Sequence, residues 1–375
     1  MDDAHHMRRA LELAAKARGN TSPNPMVGAV IVAADGTIAG EGYHERAGAG
    51  HAETVALAQA REKSRGSTMF VTLEPCDHVG RTPPCTNAIV AAGVRRVVVA
   101  LEDPDTRTRG RGIAKLRDAG VRVDVGTGSN EAMDLNAPYA HHRTTGKPFV
   151  ALKMAASLDG AVAPRAGVRN RLTGTKAFEF VSELRYEHDA VLVGVHTAIV
   201  DDPQLTVRPP RRRAVPYLRI VADDHGHLPL EGHLVRESTT TPTLVVTTSA
   251  MPDDRREALA KRGVEVLQCP ASPEGYVDLS SMLEALGKRG IISVLCEGGP
   301  TLAASLLSGG HVGRIYWFVA PEVLGSATLA PAIATMNRTP MRTSLRIDSA
   351  LMLGSDVLVT ATPTNAAPNQ HDRST

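Results

Sequence analysis

Aromatic side chains are scarce in this 375-residue chain, at 3 % of residues with a single tryptophan. Proteins that track single-stranded nucleic acid stack bases on exposed rings above a basic groove, and the material for that is missing. A charge excess is missing too: 42 lysines and arginines face 40 aspartates and glutamates, for a formal net charge of +2. This excludes bulk neutralisation of a phosphate backbone as the source of affinity, but not a small phosphorylated ligand held by a few arginines. No apolar run reaches the roughly 18 residues of a membrane-spanning helix, so no membrane partner is expected. The opening Met1-Asp2-Asp3-Ala4-His5-His6 lacks the apolar core of a secretory signal, and a cytoplasmic setting is expected. Cysteine is limited to Cys76, Cys85, Cys269 and Cys296, too few for a disulfide framework. A Cys76–Cys85 disulfide is the plain alternative for the close pair, and a reducing compartment argues against it.

What is present suffices for two domains. Hydrophobic residues make up 42 % of the chain, enough to bury a substantial core. Helix signals at 7–17, 52–61, 86–92 and 110–119 alternate with strand signals at 27–32, 68–73 and 94–101. Asp35-Gly36 reads as a tight turn, and Gly93 and Gly120 read as helix stops. The polar stretch Arg143-Thr144-Thr145-Gly146-Lys147-Pro148 reads as a break. The alternation then restarts, with a strand at 149–154, a helix at 175–187 and strands at 190–195, 218–222, 243–247, 293–296, 315–319 and 357–362. Residues 209–213 read as a basic, proline-bearing loop. The expectation is two consecutive α/β domains, 1–146 and 147–363, followed by a disordered polar tail, 364–375.

Chemistry concentrates in the first domain. His51-Ala52-Glu53 opens a helix, Pro75-Cys76 follows a strand, and Pro84-Cys85 leads into another helix. One imidazole and two thiolates make three corners of a tetrahedral zinc site and leave the fourth for water. Zinc acidifies water toward neutrality, and helix N-termini favour thiolate over thiol. Zinc nucleobase deaminases pair His-x-Glu with a downstream Pro-Cys, and the glutamate moves protons without binding metal. Glu53 is therefore the expected proton shuttle, and His51, Cys76 and Cys85 the expected ligands of one Zn2+. The competing reading is a closed structural site that takes His44 or His78 as a fourth ligand. Eight residues separate Cys76 from Cys85, against two in the general signature, which turns the reading from nucleic-acid editors toward one family.

Pro23-Asn24-Pro25-Met26-Val27-Gly28, Gly42-Tyr43-His44, Thr72-Leu73-Glu74-Pro75-Cys76 and Gly80-Arg81-Thr82-Pro83-Pro84-Cys85 carry that resemblance. Lys153 to Gly160, Asp201 to Arg208 and Glu297-Gly298-Gly299-Pro300-Thr301-Leu302 extend it through the second domain. Over nearly its whole length the chain resembles the bifunctional riboflavin-biosynthesis deaminase–reductases. The resemblance implies a cytidine-deaminase-like three-layer α/β/α domain followed by a dihydrofolate-reductase-like α/β domain. It implies zinc-dependent deamination of 2,5-diamino-6-ribosylamino-4(3H)-pyrimidinone 5′-phosphate, then NADPH-dependent reduction of the product's ribosyl group to ribityl. By position it implies substrate contacts at Asn24, His44, Arg169, Arg185, Leu205, Arg208 and Glu297. Cofactor contacts are implied at Ala155, Arg171, Thr197, Asp201 and Asp224, and along Gly299, Pro300, Thr301, Leu302, Ala303, Ala304 and Ser305. A homo-oligomer is expected.

Read without the resemblance, the second half says less. The glycines of Glu297-Gly298-Gly299 between strand and helix would let backbone N–H groups approach a phosphate, yet the pattern is not the common dinucleotide fingerprint. Arg185 and Arg208 suit bidentate bonds to a phosphate. Hydride transfer is the cofactor's chemistry, so no strong acid or base is demanded. Where the family commonly shows Ser-x-Trp, this chain has Arg169-Asn170-Arg171, and Arg171 is suited to stack or to pair with a cofactor phosphate. That departure keeps open a second reading, an active deaminase with a non-catalytic reductase-like domain.

Overall fold

A computed structural model describes residues 2–78, 83–106, 108–326, 328–335 and 341–364. Gly80, Arg81 and Thr82 of the cysteine motif lie outside the described residues, as does the expected tail from residue 365 onward. The chain divides into two compact units, 1–146 and 147–375.

The first unit runs α1 (Asp3–Ala15), β1 (Gly28–Val32), β2 (Ile38–Tyr43), α2 (Ala52–Ala60), β3 (Thr68–Val71), α3 (Cys85–Ala91), β4 (Arg96–Val99), α4 (Arg111–Asp118), β5 (Arg122–Val125), α5 (Ser129–Leu135) and α6 (Ala137–Thr145). Its sheet has the order β2-β1-β3-β4-β5; β1 is antiparallel to both neighbours, while β3, β4 and β5 run parallel. Apolar residues of β1, β3 and β4 are buried with Ala52, Ala56, Ile89, Ile113 and Leu116 from the helices. Arg143–Thr145, expected as part of a polar break, instead ends α6, and the chain turns at Gly146 with φ +74°. Strand β2 was not anticipated. Its Ile-Ala-Gly-Glu-Gly-Tyr sequence has poor strand propensity, but a Cβ on Gly40 or Gly42 would come within 2.2 or 2.4 Å of the α2 backbone. Those glycines let α2, whose N-cap is His51, lie flat on the sheet.

The second unit runs β6 (Phe149–Ala156), β7 (Ala161–Ala163), α7 (Thr175–Glu187), β8 (Ala190–Gly194), α8 (Val195–Asp201), β9 (Leu218–Ala222), α9 (His233–Arg236), β10 (Thr243–Thr247), α10 (Asp253–Ala260), β11 (Glu265–Gln268), α11 (Leu279–Lys288), β12 (Ser293–Cys296), α12 (Pro300–Ser308), β13 (Val312–Val319), β14 (Ala330–Pro331), β15 (Leu345–Leu353) and β16 (Asp356–Pro363). Nine strands lie in the order β11-β10-β9-β8-β12-β6-β13-β16-β15. The seven from β11 to β13 are parallel, and β16 and β15 close the sheet antiparallel. Parallel strands are buried on both faces and read as unbroken apolar runs, which is why 218–222, 243–247 and 293–296 were legible. From β8 the chain steps outward through β9, β10 and β11, then returns to insert β12 beside β8. That reversal makes the carboxyl ends of β8 and β12 the expected ligand crevice.

Candidate active sites

In the first unit, three elements present their ends to one point. His51 is the extended N-cap of α2, Cys76 lies beyond the end of β3, and Cys85 is the first residue of α3. His51 Nδ1 lies 3.2 Å from Cys85 Sγ and 3.5 Å from Cys76 Sγ. The Cys85 backbone N–H donates to Cys76 Sγ at 3.4 Å. A hydrogen bond from the Cys85 thiol, with another from His51, holds Cys76 down at about 4 despite burial. Cys85 is correspondingly pushed up by the Cys76 sulfur and by burial. No disulfide joins them. Glu53, in the first turn of α2, is only 3 % exposed. Burial pushes its carboxyl up from the usual glutamate range, and the charge of Cys76 adds to the shift.

Asn24 and His44 come to the same place. The His44 ring packs edge-on against His51, with centroids 5.6 Å apart. Its Nδ1–H is assigned as donor to the Gly50 carbonyl at 3.1 Å, which leaves Nε2 to accept from Asn24 Nδ2 at 3.2 Å. Burial pushes the His44 pKa down, which suits that neutral ring. Among the described residues, the ligand atoms that gather within 4.8 Å of one another are those of His51, Cys76 and Cys85 alone. His44 and His78 are not among them, so the closed four-ligand site has no fourth protein ligand here.

Sequence reasoning missed the residues that hold this geometry. Glu74 is buried and accepts from the N–H groups of Asp103, Gly110 and Ile113 at 3.1, 2.9 and 3.2 Å, tying the Cys76 loop to the start of α4. Asn136 clamps the loop carrying Asn24: its Oδ1 accepts from Met26 N at 2.8 Å and its Nδ2 donates to Met26 O at 2.9 Å. The motif that contains Glu74 pointed at its neighbourhood, whereas nothing local marks Asn136.

In the second unit, Thr197 of α8 meets the Gly298-Gly299 turn. A Cβ on Gly298 would stand 3.1 Å from the Thr197 side chain, and Gly299, with φ +78°, caps α12. At the start of that helix Thr301 is exposed and Leu302 half-buried, and Pro300, its first residue, has no N–H to offer. Asp201, half-buried at the end of α8, is pushed up by burial against the opposing charge of Arg169. Lys153 lies on β6. Burial pushes its ammonium down, and its charge is opposed by Glu297 and Asp201. Ala155 lies two residues further along the same strand.

Four of the expected contact residues are tied into the fold. Arg185 Nε and Nη2 form a bidentate pair with Glu297 at 2.5 and 2.8 Å, and Nη1 donates to Thr206 O at 2.9 Å. Its fork therefore holds Glu297. Leu205 has its side chain in the core beside Val191, Val193 and Tyr217. Ala303 and Ala304 are likewise buried, on the inward face of α12. Those three side chains pack the fold. Asp224 follows β9 at the carboxyl edge, and its Oδ1 accepts from Val277 N at 2.6 Å. Arg171 and Arg208 are exposed, with their guanidinium carbons 5.8 and 6.0 Å from the Phe178 ring centroid.

Residues 1–101 match the cytidine and deoxycytidylate deaminase zinc-binding region, and residues 148–359 match the RibD C-terminal domain. Fold and sites together define a zinc-dependent deaminase joined to an NADPH-dependent reductase. The chain is 40 % identical over 361 residues to the riboflavin biosynthesis protein RibD of Aquifex aeolicus, covering 95 % of this chain and 97 % of that one. It is 41 % identical over 337 residues to the Escherichia coli protein of the same name, covering 87 % and 89 %. The structure of Acinetobacter baumannii RibD superposes with a TM-score of 0.81 at 35 % identity, covering 96 % and 99 %. A deaminase/reductase from Thermotoga maritima gives 0.80 at 33 %, covering 96 % and 98 %. The chain belongs to the RibD family, bifunctional deaminase–reductases of riboflavin biosynthesis. The match spans both halves and does not favour a non-catalytic second domain.

Proposed function

We propose that the first unit hydrolyses an amino group of 2,5-diamino-6-ribosylamino-4(3H)-pyrimidinone 5′-phosphate, and that the second reduces 5-amino-6-(5-phosphoribosylamino)uracil to the ribitylamino product. The observation that carries this reading is the convergence of three ligand atoms within 4.8 Å beside a buried glutamate. Two sulfurs and an imidazole suit Zn2+, which when bound supplies the Lewis acidity that makes water nucleophilic near neutral pH. Glu53 takes a proton from that water and returns one to the departing ammonia, so that C–NH2 and H2O become C=O and NH3. Asn24 and His44, locked to each other, flank the substrate ring.

The reduction needs a hydride, supplied by NADPH when bound, and a proton for the sugar oxygen released as the ring opens. We assign that proton to Lys153, which lies near Glu297 and Asp201 and whose pKa burial pushes down. Thr197, Asp201, the 299–302 turn, Ser305 and the backbone at Ala155 take the cofactor. Asp224 and Arg171 reach its outer parts. Glu297, held by Arg185, and Arg169 face the substrate, and Arg208 takes its 5′-phosphate.

The chain acts on small molecules in the cytoplasm rather than on nucleic acid, in keeping with its charge balance. A second copy covers edge strand β15, where Ile347, Leu351 and Met352 are 67, 52 and 66 % exposed. Sedimentation of the intact chain should show a dimer that Ile347→Glu weakens; a wild-type monomer would contradict this. The chemistry is tested by following ammonia and NADPH separately. Glu53→Gln should keep its zinc and lose ammonia release by roughly 10²-fold or more. Undiminished ammonia release would remove Glu53 from its role.

A further inference from the structure

The loop from Asp202 to Arg208 connects α8, which ends at Asp201, to the arginine proposed to take the substrate phosphate. It contains two non-glycine residues in left-handed backbone, Asp202 at φ +40° and Leu205 at φ +52°. Such conformations are costly for residues with a Cβ and persist only where the surroundings over-determine them. Here the surroundings do so from two sides. On the α7 side, Ser182 Oγ accepts from Arg208 N at 2.6 Å and donates to Arg208 O at 2.7 Å. On the other side, Asp202 Oδ1 accepts from His233 N at 2.8 Å, and Leu205 is anchored in the core.

Beneath the loop lies Arg219, fully buried on β9. It donates to three carbonyls: Gln204 at 3.1 Å, Leu234 at 3.2 Å and Thr241 at 2.6 Å. Glu237 forms an ion pair with it at 3.6 Å. Desolvation makes a buried arginine costly, and its hydrogen bonds to these carbonyls offset that cost while fixing their positions. The carbonyl of Gln204 is one of them, and the Gln204 side chain makes the remaining connection. Its Nε2 donates to Glu237 Oε1 at 3.2 Å, and its Oε1 accepts from Arg208 Nη2. A carboxylate can only accept, so Glu237 dictates which end of the Gln204 amide faces it. The amide oxygen is thereby turned toward Arg208. His233 Nδ1, 3.0 Å from the same Glu237 oxygen, restrains the carboxylate further.

We infer that Gln204 and Glu237 are positioning residues for substrate binding in the reductase unit. Glu237, steadied by Arg219 and His233, orients the Gln204 amide, and the amide oxygen holds the exposed Arg208 guanidinium ready for the phosphate. A free arginine carries several rotatable bonds whose ordering opposes binding; a held one has lost much of that freedom beforehand. The inference rests on the reading of Arg208 as the phosphate-binding residue. It also makes the reductase's preference for a phosphorylated substrate depend on two side chains that never touch it.

The test uses the full chain, with the deaminated phosphoribosyl product and its dephosphorylated counterpart as substrates at saturating NADPH. Ammonia release from the diamino substrate serves as the internal control. Gln204→Met, which keeps size and removes both hydrogen bonds, should raise KM for the phosphorylated substrate about tenfold with kcat within about twofold. KM for the dephosphorylated substrate and ammonia release should stay at the wild-type level. Glu237→Gln, which lets the amide turn either way, should move KM in the same direction by less. If Arg208→Ala raises KM but Gln204→Met does not, the inference is overturned and the reading of Arg208 stands. If Arg208→Ala leaves KM unchanged, the reading of Arg208 falls and the inference with it. If Gln204→Met raises KM equally for both substrates, the effect is general loop damage and the inference is overturned.

Discussion

Three buried ionisable groups show how environment assigns roles to like residues. Glu53 and Glu297 are both buried carboxylates. Burial dominates at Glu53 and its carboxyl moves up, toward the protonated form a proton shuttle must visit. Burial also pushes Glu297 up, but the Arg185 guanidinium outweighs it and the net shift is down, leaving a fixed anion. The third group, His188, closes α7. Its Nδ1–H donates to Leu184 O at 2.7 Å, and burial, with Arg314 and Arg213 nearby, pushes it down from 6.5 to about 4. Above 6.5 the ring is neutral whether the chain is folded or not, and His188 makes stability no function of pH. Between 6.5 and about 4 the unfolded chain binds a proton that the fold refuses, so stability falls as pH falls. The slope contributed is at most about 1.4 kcal/mol per pH unit. Trp317, the single tryptophan, lies in β13 of the same unit and reports its unfolding. Urea unfolding followed by Trp317 should show a smaller loss between pH 7 and 5 in His188→Gln than in the wild type. Equal losses would contradict the assignment.

At the scale of elements, the zinc site is an exercise in close approach. The Cys76 loop passes so near α4 that a Cβ on Gly112 would stand 2.0 Å from the Pro75 carbonyl oxygen. Because that atom is backbone, it cannot swing aside, and Gly112→Ala must displace either the helix or the loop carrying Cys76. Outer-shell disturbances of this kind cost about 10- to 100-fold in metal affinity. Gly112→Ala should lose zinc to a chelator at correspondingly lower concentration while NADPH oxidation on supplied deaminated product is unchanged; wild-type zinc retention would show that the loop tolerates the shift. The same close packing explains what was legible. The His-x-Glu and Pro-Cys pairs are local signals, and apolar parallel strands announce themselves by composition. Strand β2 was hidden because its glycines serve α2 rather than the sheet. The edge strand β15 was hidden because its apolar residues face outward. Asn136 acts on Met26 across 110 positions and Gln204 acts with Glu237 across 33, separations at which no sequence window sees both partners. Arg185 was visible as a cation but not as the partner of Glu297, 112 residues away.

For the whole molecule, two chemistries belong to two units of one chain. The three residues proposed to hold zinc lie within residues 51–85, and those proposed to face the reductase crevice lie beyond residue 147. The most direct measurement is NADPH oxidation by a Cys85→Ser variant given either the diamino substrate or the deaminated product. No oxidation is expected with the first, because zinc and ammonia release are lost, and a wild-type rate with the second. Loss of oxidation with both substrates by a folded variant would contradict it.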